Sequence, residues 1–521
     1  MRLSNRSMLV LALAGAAMAM PARRASTPPV ADHAKARHVK EAFEISWNGY
    51  YKHAFPHDTL HPVSNGFEDD RAGWGVTVVD ALDTAIIMNS LDIVTPMLDH
   101  IAKIDFTTTA KADDSISLFE TNIRYLGGLL SAHDLLKGPY QHLGVDPPRV
   151  DMLLTQARSL GDSLSVAFDT PSGIPDPTIV LNPARRNSGA DRNNIAEIGT
   201  LVLEWTRLSD LSGNQTYAEL AQRAQDYLLR PSGAPEAWPG LVGTWVSTRD
   251  GSFLDSSGGW SAYDDSFYEY LIKMYVYDPG AFGEYKDRWV AAVDSTMEHL
   301  VSHPTTRKDL SFLSSYSGQK TTPSSGHLAS FAGGNFILGG IMLGEEKYKQ
   351  LGLRITESYY ETYVREAAGI GPEGFNWVDA ALPSDDPGNR SPPADQADFY
   401  NKTGFYNTAP YYILRPETVE SLYYAYRLTG DAKYQAMAWA AFQQIRRLCR
   451  VNDAYAEIGD VSDSSGGGFV DQMQSFWMAE TLKYLYLIFA ADGPVHVQGQ
   501  GATNKFVYNT EAHPVAVRAS G

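Results

Sequence analysis

Nine acidic residues in this chain stand where a carboxylate is either costly or useful. Asp83, Glu120, Asp265, Glu269, Glu373, Glu417, Glu420, Glu480 and Glu511 lie mostly among aromatic or small apolar residues. Examples are Ser117-Leu118-Phe119-Glu120, Ser266-Phe267-Tyr268-Glu269-Tyr270 and Glu373-Gly374-Phe375-Asn376-Trp377. Carboxylates accept hydrogen bonds from hydroxyls, and rings cover the apolar faces of a sugar, so the pattern is that of a carbohydrate site. It is also the setting in which a glycosidase raises one carboxyl pKa to make a general acid. Arg124 and Arg415 offset part of the negative charge. Taken singly, each acid is accounted for by helix capping or a salt bridge; the joint pattern points to chemistry.

Glu417 and Glu420 show the arrangement most clearly. In Leu414-Arg415-Pro416-Glu417-Thr418-Val419-Glu420-Ser421, Pro416 suits a first helical position. Glu417 then falls in the first turn, and Glu420 shares its face three residues on. The helix continues through Leu422-Tyr423-Tyr424-Ala425-Tyr426, too apolar for a solvated surface. Near the C-terminus, Thr510 offers a hard cation two oxygens, its hydroxyl and its carbonyl, with glutamates supplying charge through ordered waters; the same segment, 506–514, otherwise reads as a closing strand with a polar tail.

Other chemistries are excluded or fit worse. The chain of 521 residues has a single cysteine, Cys449, so thiolate zinc clusters and intramolecular disulfides are ruled out. It contains no His-Glu-x-x-His, no Gly-x-Ser-x-Gly elbow and no phosphate-binding glycine loop followed by Lys. A net charge of -18 argues against nucleic acid or an anionic membrane as partner. Hydrophobic and charged contents of 44% and 20% are those of a folded globular protein.

The elements that must position these acids are helical hairpins. Ile195 to Trp205, followed by Leu211-Ser212-Gly213-Asn214 and Tyr217, parallels Glu417 to Tyr426, followed by Leu428-Thr429-Gly430-Asp431 and Tyr434. Each reads as helix, tight glycine turn, then a second helix led by Tyr and rich in Ala. Acid-led helices recur at Phe119-Glu120-Thr121 into Leu130, at Asp265 to Val276, and at Ala479-Glu480 into Phe489. Strand-like alternation is sparse. Roughly seven such hairpins fit the chain. They could stack as a solenoid or close into a ring; a closed α/α barrel would gather the starts of its inner helices, and so the acids, around one mouth.

The N-terminus reads as a secretory signal over residues 1–19, with Arg2 and Arg6 before an apolar core from Met8 to Ala16 and Ala17-Met18-Ala19 as cleavage site. Residues 20–38 read as a mobile segment, and folding starts near Val39. No later stretch has the length and apolarity of a membrane helix.

The motifs, in their order, resemble glycoside hydrolase family 47, the class I α-1,2-mannosidases of the secretory route, over nearly the whole chain after residue 39. The matching stretches are Asp80-Ala81-Leu82-Asp83-Thr84, Phe119-Glu120-Thr121-Asn122-Ile123-Arg124, Asp265-Ser266-Phe267-Tyr268-Glu269, Gly371-Pro372-Glu373, Leu414 to Ser421, Ser475-Phe476 with Ala479-Glu480-Thr481, and Thr510-Glu511-Ala512-His513-Pro514. The resemblance implies an all-α fold, an (α/α)7 barrel with minor β-hairpin elements over residues 39–515. It implies an inverting exo-α-1,2-mannosidase trimming terminal mannose from high-mannose N-glycans, with one Ca²⁺ near Thr510. By position, Glu120 resembles the general acid, Glu417 the base that activates water, and Asp265 a third essential acid able to deliver the proton. An inverting pair needs carboxyls roughly 6.5–9.5 Å apart. Asp83, Glu269, Glu373, Glu420, Glu480 and Glu511 would bind mannose or order waters around the ion, and Arg124, Arg415 and Phe476 would line the pocket. The expected protein is a monomer acting on N-glycans of glycoproteins, secreted or in a vacuolar or ER–Golgi lumen. The alternative is a mannose-binding quality-control protein of the same fold with little or no hydrolysis.

This chain departs from the family at three places. Ser330 replaces a cysteine in His327-Leu328-Ala329-Ser330-Phe331, and no cysteine lies near its partner position at Ser358. Asp264 precedes the essential Asp265, where its like charge is expected to raise a pKa. Tyr263 stands where some members carry an arginine that limits which mannoses are cut, which implies relaxed branch preference.

Overall fold

A computed structural model of the chain describes residues 28–499 and 503–518; the expected signal segment at 1–19 lies outside them. Fourteen helices pair into seven hairpins. Their ranges are α1 His33–His53, α2 Leu82–Ile87, α3 Leu91–Ile101, α4 Gly127–Lys137, α5 Pro147–Leu164, α6 Val202–Ser212, α7 Thr216–Leu229, α8 Asp265–Tyr277, α9 Gly283–Ser295, α10 Phe331–Leu343, α11 Glu346–Arg365, α12 Glu417–Thr429, α13 Ala432–Leu448 and α14 Leu482–Leu487. The even-numbered helices from α2 to α14 each touch the next, and the turn Trp477–Thr481 leading into α14 packs on α2, so the inner ring closes. Each inner helix packs on its outer partner, and α1 serves as the outer partner of α14. The expected (α/α)7 barrel is thus the observed fold.

Local chemistry explains the hairpins. Inner helices α6, α10 and α12 end at Gly213, Gly344 and Gly430, each in the left-handed region that a side chain would resist. Asp32 caps α1, its carboxylate accepting from Lys35 N at 3.1 Å. That cap moves the start of the fold to His33, inside the segment expected to be mobile.

The small sheets, of two or three strands each, lie in the connections. One matters for function. Phe506–Tyr508 pairs antiparallel with Pro514–Ala516, in register Val507↔Val515, and packs against α8 and α4. The expected single closing strand is therefore a hairpin, whose turn at 509–513 is buried in the barrel except for the half-buried Thr510. Ala512 makes the turn possible with a φ of 59°, a conformation that sequence alone does not announce for alanine.

Among the described residues no helix is long and apolar enough to cross a membrane. Helix α10 is buried nearly all round and glycine-rich, because its neighbours approach its backbone closely. A Cβ on Gly339 would stand 2.1 Å from the Trp289 ring. Gly339→Ala is expected to destabilise the fold by about 1–3 kcal/mol through overpacking, measured as a lower Tm with the circular dichroism spectrum unchanged.

Candidate active site

The starts of the inner helices converge on one cavity of about 320 Å³. Glu120 ends a short helical turn, Leu118–Glu120, capped by Ser117. Asp265 and Glu417 are the first residues of α8 and α12. Glu480 stands in the wide π turn Trp477–Thr481, and Arg124 in another, Thr121–Leu126; such turns re-aim side chains and recur at functional sites. Thr510 and Glu511 come from the hairpin turn, and Phe119, Leu328 and Phe476 add apolar wall. Leu414, Tyr263 and Ala512 all have positive φ. Three such residues in or beside one cavity mark it as a place where strain is tolerated.

Glu417 is held as an anion. Its Oε2 lies 2.7 Å from His327 Nδ1, whose Nε2 lies 2.6 Å from the Tyr363 hydroxyl, and its Oε1 lies 3.6 Å from Arg415. Burial pushes its pKa up, but the His327 hydrogen bond and the Arg415 charge prevail and the net shift is downward. Arg415 is fixed in turn by a two-pronged pair with Glu373, at 2.7 Å for each prong.

Glu120 is also lowered. Burial again works against this, but Arg124, at 2.7 Å, and Arg71 outweigh it. Arg124 also binds Glu511 and stands over the Phe476 ring at 5.5 Å.

Asp265 behaves differently. Burial, then the charges of Glu269 and Glu417, push it to about 7, against the pull of a hydrogen bond from Ser266 N. The effect expected from Asp264 falls on Asp264 itself. Burial and the charges of Asp265 and Asp255 raise it well above its ordinary value, and the charges that raise Asp265 are those of Glu269 and Glu417 instead. Burial drives Glu480 and Glu511 well upward, helped at Glu480 by the charges of Glu511, Glu417 and Glu420 and at Glu511 by those of Asp80 and Glu120, against the pull of Arg124.

Of the residues expected at the site, Glu120, Arg124, Asp265, Arg415, Glu417, Phe476, Glu480, Thr510 and Glu511 line the cavity. Asp83, Glu269, Glu373 and Glu420 stand behind the wall. Asp83 is fully buried against Lys483 and His513, Glu269 pairs with Lys273, and Glu420 accepts from Tyr484 at 3.2 Å. Glu420 is raised to about 8 by burial and by Glu269 and Glu417, despite Lys273.

Sequence reasoning missed His327 and Glu197. Glu197 lines the cavity at a helix start capped by Asn194 and is raised to about 7, chiefly by burial. The serines at the expected disulfide positions are engaged. Ser330 Oγ bonds His327 O and Thr418, and Ser358 Oγ accepts from Ser311 N. At the mouth, Tyr263 is 57% exposed and leans on Trp245, which Arg192 covers at 4.4 Å.

Thr510 N donates to Tyr270. Its hydroxyl and carbonyl oxygens have no hydrogen-bond partner among the described residues. No group of three or more His, Cys, Asp or Glu side chains among the described residues converges as a direct metal cage.

An α/α barrel whose inner helices present carboxylates to one closed-ended cavity is a carbohydrate-active architecture. Residues 42–517 match glycosyl hydrolase family 47, and the chain belongs to that family. It is 51% identical to the mannosyl-oligosaccharide alpha-1,2-mannosidase 1B of Aspergillus oryzae over 486 residues, 93% of this chain and 92% of that one. It is 50% identical to the mannosyl-oligosaccharide alpha-1,2-mannosidase of Coccidioides posadasii, over 94% and 91% of the two chains. The solved alpha-1,2-mannosidase from Trichoderma reesei superposes with a TM-score of 0.92 at 60% identity, over 94% of this chain and all of that one.

In carboxyl ¹³C NMR, Asp265 is expected to titrate near 7 and Glu417 below the ordinary glutamate range. Glu269→Gln should lower the Asp265 midpoint, because it removes a neighbouring negative charge.

Proposed function

We propose that this protein is an inverting, calcium-dependent exo-α-1,2-mannosidase that removes terminal mannose from high-mannose N-glycans in the lumen of the secretory route or after secretion. The observation that carries the reading is the pair formed by Glu417 and Asp265, two acids on one cavity with pKa values driven apart in opposite directions. Such divergence is how a glycosidase separates base from acid. The hairpin turn closes the inner end of the cavity, which suits removal of a terminal unit.

Glu417, anionic and oriented by His327 and Arg415, takes a proton from the attacking water. Glu120 occupies the position of the family's acid, but Arg124 holds it ionised. Asp265 has the surroundings that keep a carboxyl protonated near neutrality, and we assign it the proton bound for the leaving oxygen. Phe476, covered by Arg124 and Arg415, presents a ring edge to the sugar. Tyr263 and Trp245 offer an aromatic rim to the rest of the glycan.

The residues present fit a hard cation. Thr510 has two oxygens without a hydrogen-bond partner among the described residues, and burial with neighbouring acids raises Glu480 and Glu511 despite Arg124, so a further positive charge would be welcome beside them. When bound, calcium would supply that charge and a centre for sugar hydroxyls.

Release of β-mannose from a defined α-1,2-linked glycan, seen by NMR of the fresh product, would establish both cleavage and inversion; α-mannose would overturn inversion, and binding without release would favour the quality-control alternative. Glu417→Gln should reduce kcat by about 10²–10⁴-fold, the range for a general base, with the fold intact. Chelation should lower both activity and Tm, since a ligand bound only by the native state stabilises it. The rate should fall as pH rises through about 7, where Asp265 loses its proton.

A further inference from the structure

The turn that carries Thr510 is tied down residue by residue, by ties from several parts of the ring. Asn509 donates to Ile123 O and to Glu204, both at 2.9 Å, and its carbonyl accepts from Lys273 on α8 at 3.2 Å. Thr510 N bonds Tyr270, also on α8. Glu511 is gripped by Arg124. Ala512 O accepts from Lys483 of α14 at 2.7 Å. His513 bridges two acids, with Nδ1 2.8 Å from Asp83 on α2 and Nε2 3.0 Å from Asp80 just before it. His513, Lys483, Asp80 and Asp83 are all fully buried. Lys483 closes the set through an ion pair with Asp83 at 2.8 Å. Thr510's hydroxyl and carbonyl are left without a hydrogen-bond partner among the described residues, although its N–H is tied.

From this we infer that His513 and Lys483 are positioning residues of the cation site: they lock the turn to α2 and α14, so that the two Thr510 oxygens stand ready before the ion arrives. The inference rests on the calcium reading above. A cation gains little from a ligand that must first be ordered, because ordering costs conformational entropy. A turn fixed in advance removes that cost. The chemistry of the tie also matters. His513 and Lys483 place positive charge beneath the turn, but Asp80 and Asp83 neutralise it, so the clamp holds the backbone without opposing a cation above it. Supporting residues one layer behind a metal ligand commonly contribute 10- to 100-fold in affinity.

The test is calorimetric titration of the full chain with calcium chloride, beside thermal melting with and without the ion. His513→Leu and Lys483→Met are expected to raise the calcium Kd at least about 10-fold. His513→Asn, whose amide can still reach Asp83 from the place of Nδ1, should recover part of that loss. Tyr508→Phe is the control. It deletes the hydroxyl that bonds Val495 O at 2.7 Å from the same hairpin, and it should lower Tm while leaving the Kd unchanged. A folded His513→Leu protein with wild-type Kd would overturn the inference. So would a Tyr508→Phe protein that loses affinity as much, because the effect would then be general loosening. If both large replacements fail to fold, the isosteric Asp83→Asn decides by the same rule, with a 10-fold weaker Kd expected and an unchanged one overturning it. Wild-type protein that takes up no calcium would overturn the calcium reading and this inference with it, whereas wild-type binding with unchanged variants overturns this inference alone.

Discussion

The fold must hold many like charges together where little water reaches them. Burial alone would neutralise most of these carboxylates, and bringing them together makes ionisation harder still. The protein answers with buried cations, two in the cavity wall and two behind it: Arg415 on Glu373 and Arg124 shared among Glu120, Glu511 and Asp80, then Lys273 on Glu269 and Lys483 on Asp83. A buried ion pair is weak evidence for stability in itself; here its role is to sort the acids. Those given a cation or a charged hydrogen bond at close range, Glu120 and Glu417, stay ionised. Those for which burial and like-charged neighbours prevail, Asp265, Glu480 and Glu511, are pushed upward instead. The uneven distribution of positive charge leaves the carboxyls of one cavity with their pKa values driven in opposite directions.

Much of this was legible in the sequence, for physical reasons. Pro416 and the glycines at 213 and 430 marked helix ends because their backbone preferences are local. Acids at helix starts could be paired across the chain because hairpins repeated. Depth was not legible. Asp83 and Glu420 had the same residue type and helical setting as acids that reach the cavity, and only the packing of the ring decides which stand in front. His327 gave no signal, since it lies 90 residues before its partner Glu417 in a stretch without periodicity. Glu197 did give one, an Asn194 cap in a helix already recognised as a repeat, and it was passed over. The hairpin was read as a single strand because its turn uses alanine, not glycine, at a left-handed position.

The departures from the family pattern are absorbed without covalent help. Ser330, where relatives carry a cysteine, joins His327 to the start of α12 through Thr418, and Ser421 donates to its carbonyl at 2.6 Å. These bonds run directly behind Glu417. Hydrogen bonds of ordinary strength are worth about 1 kcal/mol each, so several together replace part of what a crosslink would add, and they do so at Glu417 itself. The wall that orients Glu417 is therefore indifferent to the redox state of its surroundings.

The last hairpin of the ring is made from the two ends of the described chain. Helix α1 packs on α14, Asp32 N bonds Phe489 O at 2.8 Å, and the segment that closes the floor, 506–516, follows later still. During vectorial synthesis the ribosome thus releases six nearly complete hairpins before any of them can share a closed core. The first helix must wait, unpartnered, for more than four hundred residues. Contacts of such long range slow folding and leave intermediates with exposed apolar surface. A chain stopped or nicked shortly before its end would keep most of its helices and yet lack the turn that brings Thr510 and Glu511 into the cavity, because that turn is the last element of the site to be made.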